Sequence, residues 1–401
     1  MGDAQNRLLF VNPKTQDERI RLHVRSSFDE SLTWNEGKMI NRGRSAYSDL
    51  VKLNDDKIGV LYEWGNTANY EEIRFATFTE DWLDDSTVVQ LNFDEQASGA
   101  APSTSNYLKD SRGYGLNGTA SNGPTYVEGD PRYNNGAALR FTGGTDEVRI
   151  DDISNSILDF EDEDSFTLEA VFKTSSHSST SANASGPLIS KDIGPGLPSY
   201  FLRIQDSKVR FLISDNATLT SLYSDVIVND DEWHHVAAVR DADAGTISLY
   251  VDYEFAGSIA DPTTGGFGNA SDLLIGSFND SSGTTNKQFV GDIDFVRVSF
   301  GALGTDQFVQ PDLIAGDLDG DGFVGIADLN IVLGNWNTNV SAGDPLLGDP
   351  SGDGYVGIED LNTVLGNWNA GTPPSTHSVP EPGAVLVFTP LGGIWLAKRK
   401  R

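Results

Sequence analysis

The sequence predicts a mainly β chain: an antiparallel β-sandwich at its centre, a further antiparallel segment before it and a small helical unit after it. Three observations carry this. Between residues 88 and 303, short runs of alternating apolar residues recur with Gly, Asn, Asp and Ser between them, as half-buried strands do at period two. From residue 316 an acidic loop leads into the apolar run DLNIVLGNW, and the whole stretch recurs 32 residues later, which reads as a repeated loop and helix. The composition has 42 Gly, 59 Asp+Glu against 28 Lys+Arg, a net charge of -31 and no Cys in 401 residues. That length calls for two to four units. The charge repels phosphate backbones and excludes a nucleic-acid partner. It suits a calcium-rich medium outside the cell, where metal neutralises carboxylates. The lack of Cys excludes disulfides, thiolate metal sites and thiol nucleophiles.

Residues 1–87 offer the strands LLFV, IRLHVRSS, DLVKL, IGVLYEW and EIRFATF. Between them SFDESLTW, Ser27 to Trp34, is a turn device in which Asp29 accepts backbone N–H bonds and Trp34 packs beneath. It resembles the Asp box of sialidases and related β-propellers, S-x-D-x-G-x-T-W, with Ser31 in place of the Gly. With LLFVNPKTQDER, RSAYSDLVKL, IGVLYEWG and YEEIRFATFT in that order, the segment resembles the C-terminal end of an exo-α-sialidase, a partial β-propeller remnant. The resemblance implies that Arg19 grips a sialic acid carboxylate, for which a planar guanidinium fork is suited. It implies Tyr47 as nucleophile, a phenol that an anionic sugar does not repel, activated by a base because its ordinary pKa is about 10. Glu63 would orient another arginine of the triad. The family also needs two further arginines, an acid/base Asp and a Glu, all upstream of this segment. Arg21, Arg25, Arg42 and Arg44 sit in no matching motif. The resemblance therefore implies a segment that does not catalyse by itself. A longer reading frame is expected upstream, with an Arg-Ile-Pro-type motif, further Asp boxes and an export signal. The opening MGDAQNRLLFVNPK has no basic region followed by an apolar run and is not itself such a signal. Alone, a propeller remnant would leave strand edges unpaired.

Residues 88–303 hold more than seven strand candidates, the number a two-sheet jelly roll needs. In SFTLEAVFKT, Phe166, Leu168, Ala170 and Phe172 share one face. In YFLRIQDSKVRFLIS, Tyr200, Leu202 and Ile204 are expected opposite Ile213, Phe211 and Val209 across an Asp206-Ser207 turn. Residues 231–252 read as a hairpin, with Trp233 to Arg240 alternating, a turn at Asp241 to Gly245, and Ile247, Leu249 and Val251 on the return strand. Such a hairpin needs a second sheet over its apolar face. DSRGYGLNGT, GAALRFTGGTDEVRI, SFTLEAVFKT, LYVD and GDIDFVRVS together resemble the laminin-G-like, concanavalin A-like jelly roll. That resemblance implies a glycan-binding module or a glucanase. No E-x-D-x-E strand motif is present, so binding of a polysaccharide or glycoprotein sugar is expected, with a structural spacer as the alternative. In LYVDYEFAG, Tyr253 replaces the usual turn Gly, and only turn geometry is expected to change. Glu161-Asp162-Glu163-Asp164 reads as a solvated turn. His234 and His235 point to opposite faces and cannot easily share an ion, so a packed, hydrogen-bonded role is expected.

Residues 304–372 carry 11 Asp+Glu and no Lys or Arg, and GDLDGDGFVGIADLNIVLGNWN recurs as GDPSGDGYVGIEDLNTVLGNWN with 17 of 22 positions identical. The spacing is that of an EF-hand-type loop. In the first copy Asp317, Asp319, Asp321, the Phe323 carbonyl and Asp328 are the expected Ca2+ ligands, with Gly322 at the sharp turn. In the second they are Asp349, Ser351, Asp353, the Tyr355 carbonyl and Asp360, with Gly354 at the turn. Asp in the last ligand position and a short helix after each loop resemble dockerin type I repeats. This implies Ca2+-driven folding and a possible cohesin-like partner. The pairs Ile326-Ala327 and Ile358-Glu359 lack the small hydroxyl residues usual in such recognition.

Residues 373–401 join a Pro-rich linker to Val379-Pro380-Glu381-Pro382, an apolar run from Gly383 to Ala397 and Lys398-Arg399-Lys400-Arg401. This resembles a PEP-CTERM sorting signal with a short transmembrane segment. It implies export to the cell surface or outer envelope, retention by the basic tail on the cytoplasmic side and processing by an exosortase-type enzyme. The full reading is the C-terminal part of an exported sialidase-type glycoside hydrolase, binding glycans and calcium and not catalytic as this chain. The alternative is a surface carbohydrate-binding or adhesion protein without catalysis.

Overall fold

The computed structural model describes residues 7–371 except 16–17, 36, 54–56, 134–135, 153–155, 176–184, 195, 279–287 and 312–313. The sorting motif, apolar run and basic tail expected over 373–401 lie outside the described residues. The chain divides into two compact units, Met1–Asp312 and Leu313–Arg401. Among the described residues, no helix is long and apolar enough to cross a membrane.

The first unit is built of antiparallel sheets, and its larger part is the expected jelly-roll sandwich. One sheet has ten strands. At its centre Phe166–Lys173 lies between Trp233–Asp241 and Val290–Phe300. The facing sheet has seven strands, running from Leu219–Ile227 through Lys208–Ser214, Ser199–Gln205 and Ser185–Lys191 to Thr119–Ser121. Phe166, Leu168, Ala170 and Phe172 face the core between them, all fully buried. Phe160 stacks on Phe166 at 4.4 Å, and Tyr200, Phe211 and Phe267 surround that pair. Each such ring, fully buried, stabilises by about 1.5–3 kcal/mol.

The expected pairings Tyr200↔Ile213, Leu202↔Phe211 and Ile204↔Val209 are present. Asp206 and Ser207 both take left-handed φ, 53° and 65°, the twist a two-residue hairpin requires.

The central strand of the ten-stranded sheet is buried on both faces, which alternation alone does not foretell. Residues 303–309 lie across the outer face, where Leu303 and Phe308 join Ala237 and Val239 in a small apolar cluster. These residues therefore belong to the sandwich rather than to the repeat that follows. Tyr253 does more than shape a turn: its ring stacks on His235 at 4.4 Å and its hydroxyl donates to the Val309 carbonyl at 2.8 Å.

Ahead of the sandwich, Leu8–Pro13, Ile20–Ser27, Lys38–Lys52, Lys57–Gly65 and Glu72–Thr79 form a five-stranded meander in sequence order. One face buries Leu22, Val24, Ile58, Val60, Tyr62 and Phe78 under the short helix Glu80–Asp84. The meander is tied to the sandwich by charge. Lys14 and Arg21 pair with Asp164, and Arg21 also reaches Glu161 at 3.0 Å and the Asp159 carbonyl at 2.7 Å. In the acidic run Glu161, Asp162 and Glu163 are exposed around a turn, as expected, whereas Asp164 is buried and only 3% exposed. Burial works to raise the Asp164 pKa, but Lys14, the Glu161 amide and Arg21 outweigh it and hold the carboxyl below its ordinary value.

The second unit carries the duplication as two helices, Ile326–Gly334 and Ile358–Gly366. Its core is Leu318, Val324, Val332, Val356 and Val364. The copies are interlocked. Gly316, at φ 92°, lies so close to the second helix that a Cβ would meet the Thr363 carbonyl at 3.0 Å. Gly348, at φ 83°, lies in the same way against Ile331 of the first helix, at 3.1 Å. The Asn337 amide bonds Val356 and the Asn369 amide bonds Val324.

Candidate functional site

The outer face of the seven-stranded sheet holds a cavity of about 270 Å³. Because Tyr200, Leu202, Ile204, Val209, Phe211 and Ile213 turn inward, the alternate residues Phe201, Arg203, Arg210 and Leu212 turn outward. Register sets Phe201 opposite Leu212 and Arg203 opposite Arg210. Asp192, Ser199, Leu219 and Phe278 complete the wall. The two phenyl rings meet edge to face, 5.4 Å apart. The Arg203 guanidinium lies 4.8 Å from the Phe201 centroid and 5.6 Å from that of Phe278. Gln205 Oε1 accepts from Arg203 Nη2 and, at 3.0 Å, from Arg210 Nη1, while Arg210 Nε donates to Ser221 Oγ at 2.7 Å. Burial lowers the Arg210 pKa. The result is a cationic hollow with aromatic walls and fixed hydrogen-bond donors, the composition of a small-molecule site. The sequence contained the signal, an aromatic and two arginines on the outward half of one alternation. That half ordinarily reads as solvated surface, and nothing in the alternation marks it as a site.

On the meander, Arg19, Tyr47 and Glu63 are brought together. The Arg19 guanidinium lies 5.3 Å from the Tyr47 ring centroid and donates to the Tyr70 hydroxyl at 2.8 Å. Glu63 accepts the Tyr47 amide at 3.1 Å, beside a break in the register between Ser45 and Ser48. Tyr47 itself is 70% exposed.

The hydrogen-bonded turn of the Asp box forms as expected, but Trp34 is exposed rather than packed beneath it. Asp29 accepts the Thr33 amide at 2.9 Å and the Ser27 hydroxyl at 2.8 Å. The Thr33 hydroxyl, the Thr33 amide and Ser27 together draw its pKa down to about 2. Ser31 takes the left-handed φ of 72° that a Gly would take there. Trp34 stays partly exposed, with its ring 5.7 Å from that of Phe10.

In the repeat, carboxylate oxygens of Asp317, Asp319 and Asp321 come within 4.8 Å of one another, as do those of Asp349, Asp353 and Asp360. Burial first, then the Asp328 and Asp321 charges, push Asp317 up to about 6. Asp319 and Asp321 are raised as well, by burial first and then by neighbouring carboxylates. Hard oxygen donors crowded to this degree fit a divalent cation such as Ca2+. The Ser351 hydroxyl turns inward and donates to Asp349 Oδ1 at 3.0 Å. Asp328 and Asp360 are fully buried, and each accepts the amide that opens its helix, Gly325 or Gly357, at 2.7 Å. Each therefore caps its helix, but only Asp360 belongs to its loop's carboxylate cluster, and the first cluster forms from Asp317, Asp319 and Asp321 without Asp328. Phe323 and Tyr355 each occupy an isolated β-bridge, with Gly371 and Asn339.

The two histidines occupy separate hydrogen-bonded positions. His234 sits between Asp252 (2.8 Å) and Asp230 (3.0 Å). Burial opposes its charged form, but the two carboxylates prevail and raise its pKa. His235 contacts the buried Glu169 at 3.2 Å.

Residues 142–307 match the family Laminin_G_3, described as the concanavalin A-like lectin/glucanases superfamily. A sialidase of Micromonospora viridifaciens is 38% identical over 76 residues, which are 19% of this chain and 11% of the sialidase. The CBM40 of the Ruminococcus gnavus IT-sialidase superposes with a TM-score of 0.33 at 15% identity, covering 43% of this chain and 94% of that one. The ligand-binding domain of botulinum neurotoxin serotype D, solved with N-acetylneuraminic acid, gives 0.40 at 11% identity, covering 65% and 54%. The binding domain of Paraclostridial Mosquitocidal Protein 1 gives 0.42 at 13%, covering 65% and 55%.

Proposed function

We propose that this chain is a carbohydrate-binding part of an exported sialidase-type glycoside hydrolase, and that the cavity on the seven-stranded sheet is its sugar site. The observation that carries the reading is the Phe201–Phe278 corner beside Arg203 and Arg210 on a lectin-type jelly roll. A sugar ring has an apolar CH face for an aromatic wall and hydroxyls for fixed donors and acceptors. The local likeness to a sialidase supports the parent enzyme class. Calcium in the repeat acts here as a structural ion that neutralises Asp317, Asp319, Asp321, Asp349, Asp353 and Asp360. The exposed Ile326, Leu333, Ile358 and Leu365 support docking of a cohesin-like protein on this unit. Surface sorting through an exosortase-type enzyme rests on the sequence of the tail alone.

The test is binding of the full chain to a panel of immobilised glycans. Phe201→Ala combined with Phe278→Ala is expected to weaken binding at least tenfold, a loss of about 1.4 kcal/mol, with circular dichroism unchanged. Binding as tight as that of the parent chain would remove the cavity from the reading.

The cluster of Arg19, Tyr47 and Glu63 favours a second reading, hydrolysis of sialosides. On this reading a fluorogenic sialoside is turned over and Tyr47→Phe abolishes the turnover. No turnover by the unmodified chain removes hydrolysis by this chain alone.

A further inference from the structure

We propose that the cavity is one end of an open cleft that binds several consecutive residues of a polysaccharide chain, with Tyr223 and Ile227 forming a second ring position beyond it. The inference rests on reading the cavity as the sugar site and names the form of its ligand, a polymer engaged along its length rather than a single terminal sugar.

Three observations carry it. The first is register. On the outer face of the seven-stranded sheet Phe201 lies opposite Leu212, and Leu212 opposite Ser221. In the next row Arg203, Arg210 and Tyr223 stand side by side on three successive strands. Tyr223 is thus two strands and one row away from Phe201. With strands about 4.8 Å apart and a rise of about 3.4 Å per residue, the diagonal is about 12 Å, which is more than one hexose ring spans. The second is exposure. Leu219 lines the cavity, and beyond it on the same strand Tyr223 and Ile227 follow, so that the three are 54%, 39% and 61% exposed. Leu222 between them turns into the core. Large apolar side chains left in water side by side mark a contact surface, and this one is continuous with the cavity wall. The third is the position of that strand. Leu219–Ile227 is the end strand of its sheet, so among the described residues no further strand of the sheet walls off the cleft on that side. A ligand can pass from the Phe201–Phe278 corner across Arg210 and out over Tyr223.

Arg210 joins the two positions. Its Nε donates to Ser221 Oγ at 2.7 Å, its Nη1 donates to Gln205 Oε1 at 3.0 Å, and its guanidinium lies 5.0 Å from the Tyr223 ring centroid. These contacts hold the guanidinium plane in place and leave other N–H groups for the hydroxyl and bridging oxygens of a sugar chain. Apolar surface at both ends with fixed donors between them suits linked pyranose rings, whose CH faces pack on side chains while their hydroxyls take hydrogen bonds. Such recognition needs no charge on the sugar.

The experiment is calorimetric titration of the full chain with cello-, laminari- and galacto-oligosaccharides, each as the disaccharide and the hexasaccharide, and with 3′-sialyllactose as a terminal-sugar control. Two ring positions on one chain act together, so in at least one series the hexasaccharide is expected to bind about tenfold or more tighter than the disaccharide, a gap of about 1.4 kcal/mol. Tyr223→Ala combined with Ile227→Ser is expected to bring the hexasaccharide down to the affinity of the disaccharide and to leave the disaccharide where it was. Phe201→Ala combined with Phe278→Ala is expected to weaken both lengths. Equal binding of short and long members, binding of 3′-sialyllactose alone, or a length preference untouched in the folded Tyr223/Ile227 variant overturns the cleft while leaving the cavity a sugar site. No binding of any probe by the folded chain overturns both.

Discussion

Replacing Glu169 by alanine is expected to cost the first unit about 3–5 kcal/mol, the range for removing one partner of a buried ion pair. Glu169 is fully buried on Phe166–Lys173, directly across from Ala237 on one side and Arg297 on the other. Its carboxylate accepts from Arg297 Nε at 2.6 Å and from the Val309 amide at 2.9 Å, and contacts His235 at 3.2 Å. Without it the Arg297 guanidinium stays buried with its charge uncompensated, and the 303–309 segment loses its anchor. Burial alone would raise the Glu169 pKa, yet His235 and Arg297 outweigh it and the pKa is lowered. This contribution is therefore complete above the ordinary carboxylate value of 4.5 and is lost as pH falls through the lowered folded value. Urea unfolding at pH 7, with unchanged slope and a lower midpoint, measures the loss. A change under about 1 kcal/mol, the worth of an exposed pair, would contradict a desolvated carboxylate here.

The second large effect is expected on removing calcium. With Asp317 raised to about 6, the metal-free fold holds its proton more tightly than the unfolded chain, whose reference pKa is 3.8. Stability of the metal-free unit should therefore fall as pH rises from about 4 to 6. On the proposed reading calcium reverses this, because a metal ion held by deprotonated carboxylates releases protons on binding. At a hundredfold excess over its dissociation constant it adds about 2.7 kcal/mol. Trp336 and Trp368 lie in this unit and are partly exposed, so their fluorescence reports the transition. Melting at pH 5 and pH 7, with calcium and with chelator, gives four midpoints. The calcium-dependent gap should be wider at pH 7. Equal midpoints with and without chelator would end the metal assignment.

Much of the sandwich was legible because the information is local. Tyr200 to Ile213 carry both the alternation and a two-residue turn, so register follows from one short stretch. Glu169, Asp164 and Tyr253 were not legible, because each acquires its role from residues far away in the chain. Residues 303–309 cover the outer face over Glu169, Lys14 and Arg21 arrive over Asp164, and the Val309 carbonyl meets the Tyr253 hydroxyl. The acidic loops were readable since their ligand spacing repeats in the sequence. The Arg203–Arg210 cavity was not, because a polar residue on an outward face says nothing of what surrounds it until the neighbouring loops are in place.

The reciprocal seating of Gly316 on the second helix and of Gly348 on the first bears on how the repeat could be inherited and altered. Each copy serves as the other's floor, so neither half is a spare part. Deleting 348–369 would not leave a working half-unit, because Gly316 would lose the helix it rests on and the first helix would lose the segment at Gly348 that covers it. A side chain at either glycine strikes the partner copy's helix backbone rather than its own loop, and the damage would appear in the helix whose sequence was never touched.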